Sequence, residues 1–155
     1  MWVSSIGFAF GGGVFGGTSL EPGARLRQVP HSRGVCPWAM GCHVGSYTIV
    51  AGRVGGISLG NHVMIGPHCT ITSFNHGYCD MRRPMSEQRL TGSPVIIEDD
   101  VWIGANCVVT SGVRLSRGCV IGAGSVVTRD IPAYSIAFGC PARVKGTRGK
   151  AKEAG

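Results

Sequence analysis

Charge and aromatic rings are scarce in this sequence: 15% of residues are Asp, Glu, Lys or Arg, and 7% are Phe, Trp or Tyr. Acidic residues are the rarer sign, 8 against 15 basic ones, which leaves a formal net charge of +7. A basic chain can bind nucleic acid through its phosphates. Here the basic residues are scattered and no aromatic platform interleaves with them, which argues against nucleic acid and for a phosphorylated small molecule. No Cys-x-x-Cys pair occurs among the 7 cysteines, so the common metal and redox spacings are absent. An odd set of thiols without paired spacing points to a reducing compartment, and the expected location is the cytoplasm. The apolar start, Met1 to Leu20, lacks the basic n-region and compact apolar h-region of a signal peptide. Glycines interrupt it too often for a spanning helix, so no membrane span is expected.

Glycine is what the chain has in excess, 26 residues, together with 43% apolar residues. High glycine and low charge would suit disorder if the apolar residues fell at random. They do not. From Val95 to Phe138 the sequence repeats every six residues, with units opening on Ile97, Ile103, Val109, Leu115, Ile121 and Val127. The fifth residue of each unit is small or β-branched: Val101, Cys107, Val113, Cys119, Ser125, Ile131. Neither a helix nor a simple strand has this period. A hexapeptide repeat does: each unit is a short strand and a turn, and three units close one triangular coil. Aliphatic side chains stack inward from coil to coil, and the fifth position points inward beside a corner where only small side chains fit. The fold class expected is all-β, a parallel β-helix. Glycines supply the positive φ that its corners need.

The chain divides into three segments. Residues 1–34 show no period and read as an irregular, Gly-rich extension. Residues 35–140 form the β-helix domain. Its early repeats are looser, and the phase slips by three residues through Gly56-Ile57-Ser58 before recovering at Leu59 and Ile65. Residues 74–94 leave the period altogether, and a long loop thrown out of a regular solenoid is usually functional. Residues 141–155 read as a basic tail that departs after the Gly and Pro of Gly139-Cys-Pro-Ala-Arg.

Five stretches together resemble the hexapeptide-repeat acyltransferases: Ile65-Gly-Pro-His-Cys-Thr, Asn75-His-Gly-Tyr, Asp100-Val-Trp-Ile-Gly-Ala, Ile121-Gly-Ala-Gly-Ser-Val-Val-Thr-Arg-Asp-Ile-Pro and Gly139-Cys-Pro-Ala-Arg-Val. Within that family the chain is most similar to the branch acting on maltose, galactosides and polysaccharides. The resemblance implies a left-handed helix, a homotrimer with active sites between subunits, acetyl-CoA as acyl donor and no metal. It implies His76 as general base. On the residues alone, His76 is equally a surface-loop histidine. It implies that Trp102 lies beside the site and that Ala105, Ala123, Thr128, Arg129 and Arg143 contact CoA. Small Ala105 and Ala123, one coil apart, would let a pantetheine arm lie flat, and arginine suits phosphate. The chemistry agrees, since moving an acetyl group from a thioester to a hydroxyl needs a base, oxyanion donors and alignment. The expected function is therefore O-acetyl transfer from acetyl-CoA to a sugar or related hydroxyl compound.

Rival readings start from other residues. His62, His68 and His76 could be nominated as zinc ligands of a carbonic anhydrase on this fold, though no acidic proton shuttle accompanies them. The irregular N-terminus suggests a non-catalytic assembly subunit. Cys79, three residues from His76, could form a Cys-His nucleophile pair, but the resemblance implies direct transfer. Ser73 and Phe74 stand where many polysaccharide-branch relatives carry an Asp-His pair, a departure that bears on acceptor choice. Ser46 falls near the place of an acceptor-orienting residue.

Overall fold

The computed structural model describes residues 40–149 and the backbone of two short strands before them. The chain coils into a left-handed parallel β-helix with three flat faces. The first face stacks β1 (Ser19–Leu20), β4 (Ile49–Ala51), β7 (Thr70–Thr72), β10 (Val108–Val109) and β13 (Val126–Val127). The second stacks β2 (Leu26–Gln28), β5 (Ile57–Leu59), β8 (Val95–Ile97) and β11 (Arg114–Leu115). The third stacks β3 (His43–Val44), β6 (Met64–Ile65), β9 (Trp102–Ile103), β12 (Val120–Ile121) and β14 (Ser135–Phe138), and ends on β15 (Arg143–Thr147). Corner one joins the first face to the second, corner two the second to the third, and corner three the third to the first coil onward.

The repeat sets this register directly. Ile65, Ile103 and Ile121 stack on the third face, and Ile71, Val109 and Val127 on the first. All six are buried, as are the fifth-position residues from Val101 to Ile131. Each such aliphatic side chain contributes about 1.5–3 kcal/mol on burial. Coils are tied by backbone bonds such as Trp102 N donating to Cys119 O (3.0 Å) and Gly104 N to Ile121 O (2.8 Å).

Two kinds of corner glycine emerge where the sequence suggested one. Fourth-position residues turn through positive φ, as Asn106 does at 56°. Second-position glycines are needed for space instead: a Cβ on Gly104 would lie 2.6 Å from Ala123 N of the next coil. At corner three the fifth position also has a polar task. Thr48 Oγ1, Cys69 Sγ and Cys107 Sγ donate to the carbonyls of Gly66, Gly104 and Gly122 at 2.9, 3.1 and 3.2 Å. Cysteine here is both compact and a weak donor, and Cys69 gives Gly104 O a hydrogen bond that a Val could not supply. The Cys107 side chain and burial raise the Cys69 pKa, and burial pushes Cys119 up to about 12, so these two thiols stay protonated.

Both ends differ from the segment boundaries read in the sequence. Ser19–Leu20 pairs with Ile49–Val50, and Leu26–Gln28 with Ile57–Leu59, both in parallel. The stack therefore begins inside residues 1–34, and the spacing of Leu20 and Leu26 is the repeat's own six. The remaining residues of 1–39, and 150–155, lie outside the described residues. At the other end the basic segment does not leave the solenoid at residue 141. Arg143–Thr147 folds back antiparallel on Ser135–Phe138, so β14 is paired on both sides and is no longer an edge. Arg148 then donates to Tyr134 O (2.6 Å) through its backbone and pairs with Asp100 (2.7 Å) through its guanidinium.

Candidate active site

The excursion 74–94 leaves from corner one between β7 and β8, one coil beyond the bends at 53–55 that hold the phase slip. It is closed at its root by hydroxyls and by a missing Cβ. Buried Ser73 donates to Val54 O (2.6 Å), and Ser111 Oγ donates to Ser73 O (3.0 Å) while accepting from Ser93 N (2.8 Å). The outgoing and returning legs then exchange hydrogen bonds. Asn75 N donates to Thr91 O (2.7 Å), Thr91 N to Asn75 O (2.9 Å), and Gly77 N to Arg89 O (3.1 Å). The tip is tied by Gln88, whose amide donates to Asp80 O (2.8 Å) and Arg83 O (3.0 Å).

His76 sits between the two pinned residues Asn75 and Gly77, with its imidazole exposed. Its backbone is held on both sides by the hydrogen bonds of Asn75 and Gly77. Cys79 is exposed further along the loop. Phe74 lies beneath the Arg53 guanidinium, 5.8 Å from ring centroid to Cζ, a cation–π contact at the loop root.

The legs run so close that Gly92 has no alternative. A Cβ there would meet Ser73 O at 2.1 Å and Phe74 Cα at 2.7 Å. We expect Gly92→Ala to push the legs apart and displace His76 without unfolding the coils. A circular dichroism melt should move little, while protease cleavage within 74–94 accelerates at least about tenfold, because local opening governs nicking. The sequence flagged the loop but not these root residues. Their signal was the eighteen-residue offset between Ser93 and Ser111, one coil.

A second group of residues gathers along the third face and corner three. Ala105 and Ala123 occupy equivalent places on neighbouring coils, with Gly124 N donating to Ala105 O (2.8 Å) and Asn106 N to Pro67 O (3.0 Å). Trp102 points outward from β9 between Met64 and Val120, and is half exposed. Arg143 stands opposite Phe138 on the terminal strand, its guanidinium donating to Ala142 O (2.9 Å). Thr128 and Arg129 lie exposed at corner one, two coils beyond the loop root. Within one chain, then, the full width of the first face separates His76, Thr128 and Arg129 from the alanine column. The three histidines nominated for zinc stand at three different corners: His62 at corner two, His68 at corner three and His76 at corner one.

The described residues hold no helix long and apolar enough to cross a membrane. A family described as the hexapeptide repeat of succinyl-transferase matches residues 94–129. A galactoside O-acetyltransferase of Lactococcus lactis is 46% identical over 90 residues, 57% of this chain and 42% of that protein. A maltose O-acetyltransferase structure from Clostridium difficile superposes with a TM-score of 0.59 at 35% identity, covering 71% of this chain and 60% of that one. A hexapeptide-repeat acetyltransferase from Vibrio cholerae, solved with acetyl coenzyme A, gives 0.56 at 31% identity over 77% of this chain and 70% of its own. The chain spans 42%, 31% and 41% of the first curated relatives it matches, less than half of each. Taken with the six-residue register, the glycine-lined corners and the histidine loop, these likenesses establish that the chain belongs to the hexapeptide-repeat acyltransferase family.

Proposed function

We propose that this chain carries the catalytic core of an acetyl-CoA-dependent O-acetyltransferase whose acceptor is a hydroxyl of a sugar or similar small molecule. The observation that carries the reading is the position of His76 between the hydrogen-bonded residues Asn75 and Gly77 of the loop, on a different corner from a column of glycine and alanine. The names of the Lactococcus and Clostridium relatives support a sugar hydroxyl as acceptor, and the Vibrio complex supports acetyl-CoA as donor.

The corner-three column fits a pantetheine arm. At Ala105 and Ala123 only methyl groups project, and Gly66 and Gly104 bring the backbone of one coil against the next, 2.6 Å from where a Cβ would stand. Thr128, Arg129 and Arg143 are proposed to hold the adenosine and phosphates, and Trp102 to wall the groove. Because His76 and the alanine column stand on different corners of one chain, the site is proposed to form between two copies, in a homotrimer with three such grooves. When bound, acetyl-CoA supplies an already activated thioester, so the protein need only align and shuttle a proton. His76 takes the proton from the acceptor hydroxyl as its oxygen attacks the thioester carbonyl. It then returns that proton to the departing sulfur.

The test is release of CoA thiol from acetyl-CoA against a panel of sugars. Acceptor-dependent release is expected. Absence of release with every sugar, together with no CoA binding by calorimetry, would favour the non-catalytic assembly reading instead.

A further inference from the structure

Corner three holds an aromatic pair that the reaction outlined above does not use. Tyr47 and His68, on adjacent coils, stack face to face with ring centroids 5.1 Å apart and planes 13° apart. Both residues turn in the left-handed region, at φ 59° and 57°. Further along the same corner the equivalent positions are Asn106 and Gly124, residue types that accept this conformation readily. Tyrosine does not, so Tyr47 is held there at a conformational cost. Nothing in the core repays it. Tyr47 is 70% exposed and His68 is exposed, so their stack seals no apolar interior. The coils are already tied at this point by His68 N donating to Ser46 O (3.0 Å). Strain held in exposed rings, away from any packing need, is a mark of a binding surface.

Position says what it would bind. Ser46 and Pro67 continue the Ala123–Ala105 column toward the N-terminal end of the solenoid, and the Tyr47–His68 pair lies beside them, in line with Asn106 and Gly124. His68 leads into β7, the strand that feeds the loop bearing His76, so His68 shares a coil with the proposed base and Tyr47 lies one coil before it. A donor lying along Ala123 and Ala105 would bring its reactive end to the level of His68, where the stacked rings, His68 first and then Tyr47, present an aromatic face next in line. A pyranose offers such a face a row of C–H bonds, which the negative face of an aromatic ring attracts, while its hydroxyls stay free at the rim.

We propose that the Tyr47–His68 pair is the acceptor platform, on which a sugar ring lies while one hydroxyl is presented to His76 of a neighbouring copy. This rests on the acetyltransferase reading, in which the alanine column holds the donor. Tyr47 is then a specificity-determining contact and His68 the residue that positions its ring.

The test compares Tyr47→Asn and Tyr47→Phe. Asparagine accepts positive φ, so Tyr47→Asn should keep the melting temperature within about 2 °C. Its KM for the sugar should rise about tenfold, with KM for acetyl-CoA unchanged. Tyr47→Phe keeps the ring and should stay near the wild-type KM. An unchanged sugar KM in Tyr47→Asn would overturn the platform, whatever the melting temperature does, and so would an equal rise in both variants. If the wild type transfers acetyl to no sugar, the acetyltransferase reading fails separately. The platform is then decided by saturation-transfer NMR of the acceptor-panel sugars on wild type and Tyr47→Asn. Saturation transfer lost in Tyr47→Asn supports it, and equal or absent transfer overturns it.

Discussion

His76→Ala should lower kcat for acceptor-dependent acetyl transfer by roughly 10²–10⁴, the usual worth of a positioned general base. KM for acetyl-CoA should change little, because the imidazole is proposed to meet the acceptor proton and not the nucleotide. The melting temperature should also hold. The His76 side chain is exposed, and the loop's closing bonds come from the backbone of Asn75, Gly77, Arg89 and Thr91 and from the side chain of Gln88. Steady-state kinetics beside a thermal melt check both halves. A histidine that merely decorates the loop would leave kcat within a factor of two.

The largest effect on stability is expected at Gly104. A Cβ at this position would sit 2.6 Å from Ala123 N, 2.9 Å from Ala123 Cα and 3.0 Å from Ile121 O. All three are backbone atoms of the next coil, so no rotamer change relieves the contact. Gly104→Val must spread two coils. That weakens Gly104 N→Ile121 O and the buried Cys69 Sγ→Gly104 O contact, and unpacks Ile103 from Ile121. We expect a loss of about 3 kcal/mol or more, enough to unfold a marginally stable chain at 37 °C. Denaturant melts of Gly104→Val and Gly104→Ala measure it, and the Ala variant should fall between wild type and Val. A flat result would mean that the coils tolerate a wider spacing than the stacked register indicates.

The repeat made the fold legible because its period fixes inward and outward at once. Ile97 to Val127 and Val101 to Ile131 were read as two inward columns, and all of them are buried. The start of the stack was harder. Leu20 and Leu26 keep the six-residue spacing, but glycines surround them, and a single pair of aliphatics does not stand out from an irregular background. The C-terminal hairpin was missed because Gly139 and Pro141 signal a turn without saying where the chain goes next. What decides its course is the open edge of β14, a tertiary fact. Cysteines were read for size, correctly, while their second role as donors to Gly104 and Gly122 appears only when coils are stacked. The eighteen-residue spacing put Ala105 and Ala123 at equivalent places on neighbouring coils, and the break in the period put His76 in the loop. Of the serines that lock the loop root, Ser93 and Ser111 keep the one-coil offset of eighteen residues, while Ser73 and Ser111 meet across 38 residues that include the loop itself.

The most direct measurement is complementation between two inactive variants. His76→Ala removes the proposed base, and Ala123→Trp should block the alanine column of an otherwise intact chain, since Ala123 is exposed and its change should not disturb the core. Each variant alone should be inactive. Refolded together in equal amounts, with mixed assemblies verified by native mass spectrometry, they should recover about a quarter of wild-type activity, the share of grooves that draw both halves from intact surfaces. Mixed assemblies with no recovered activity would contradict a site built from His76 of one copy and the alanine column of another.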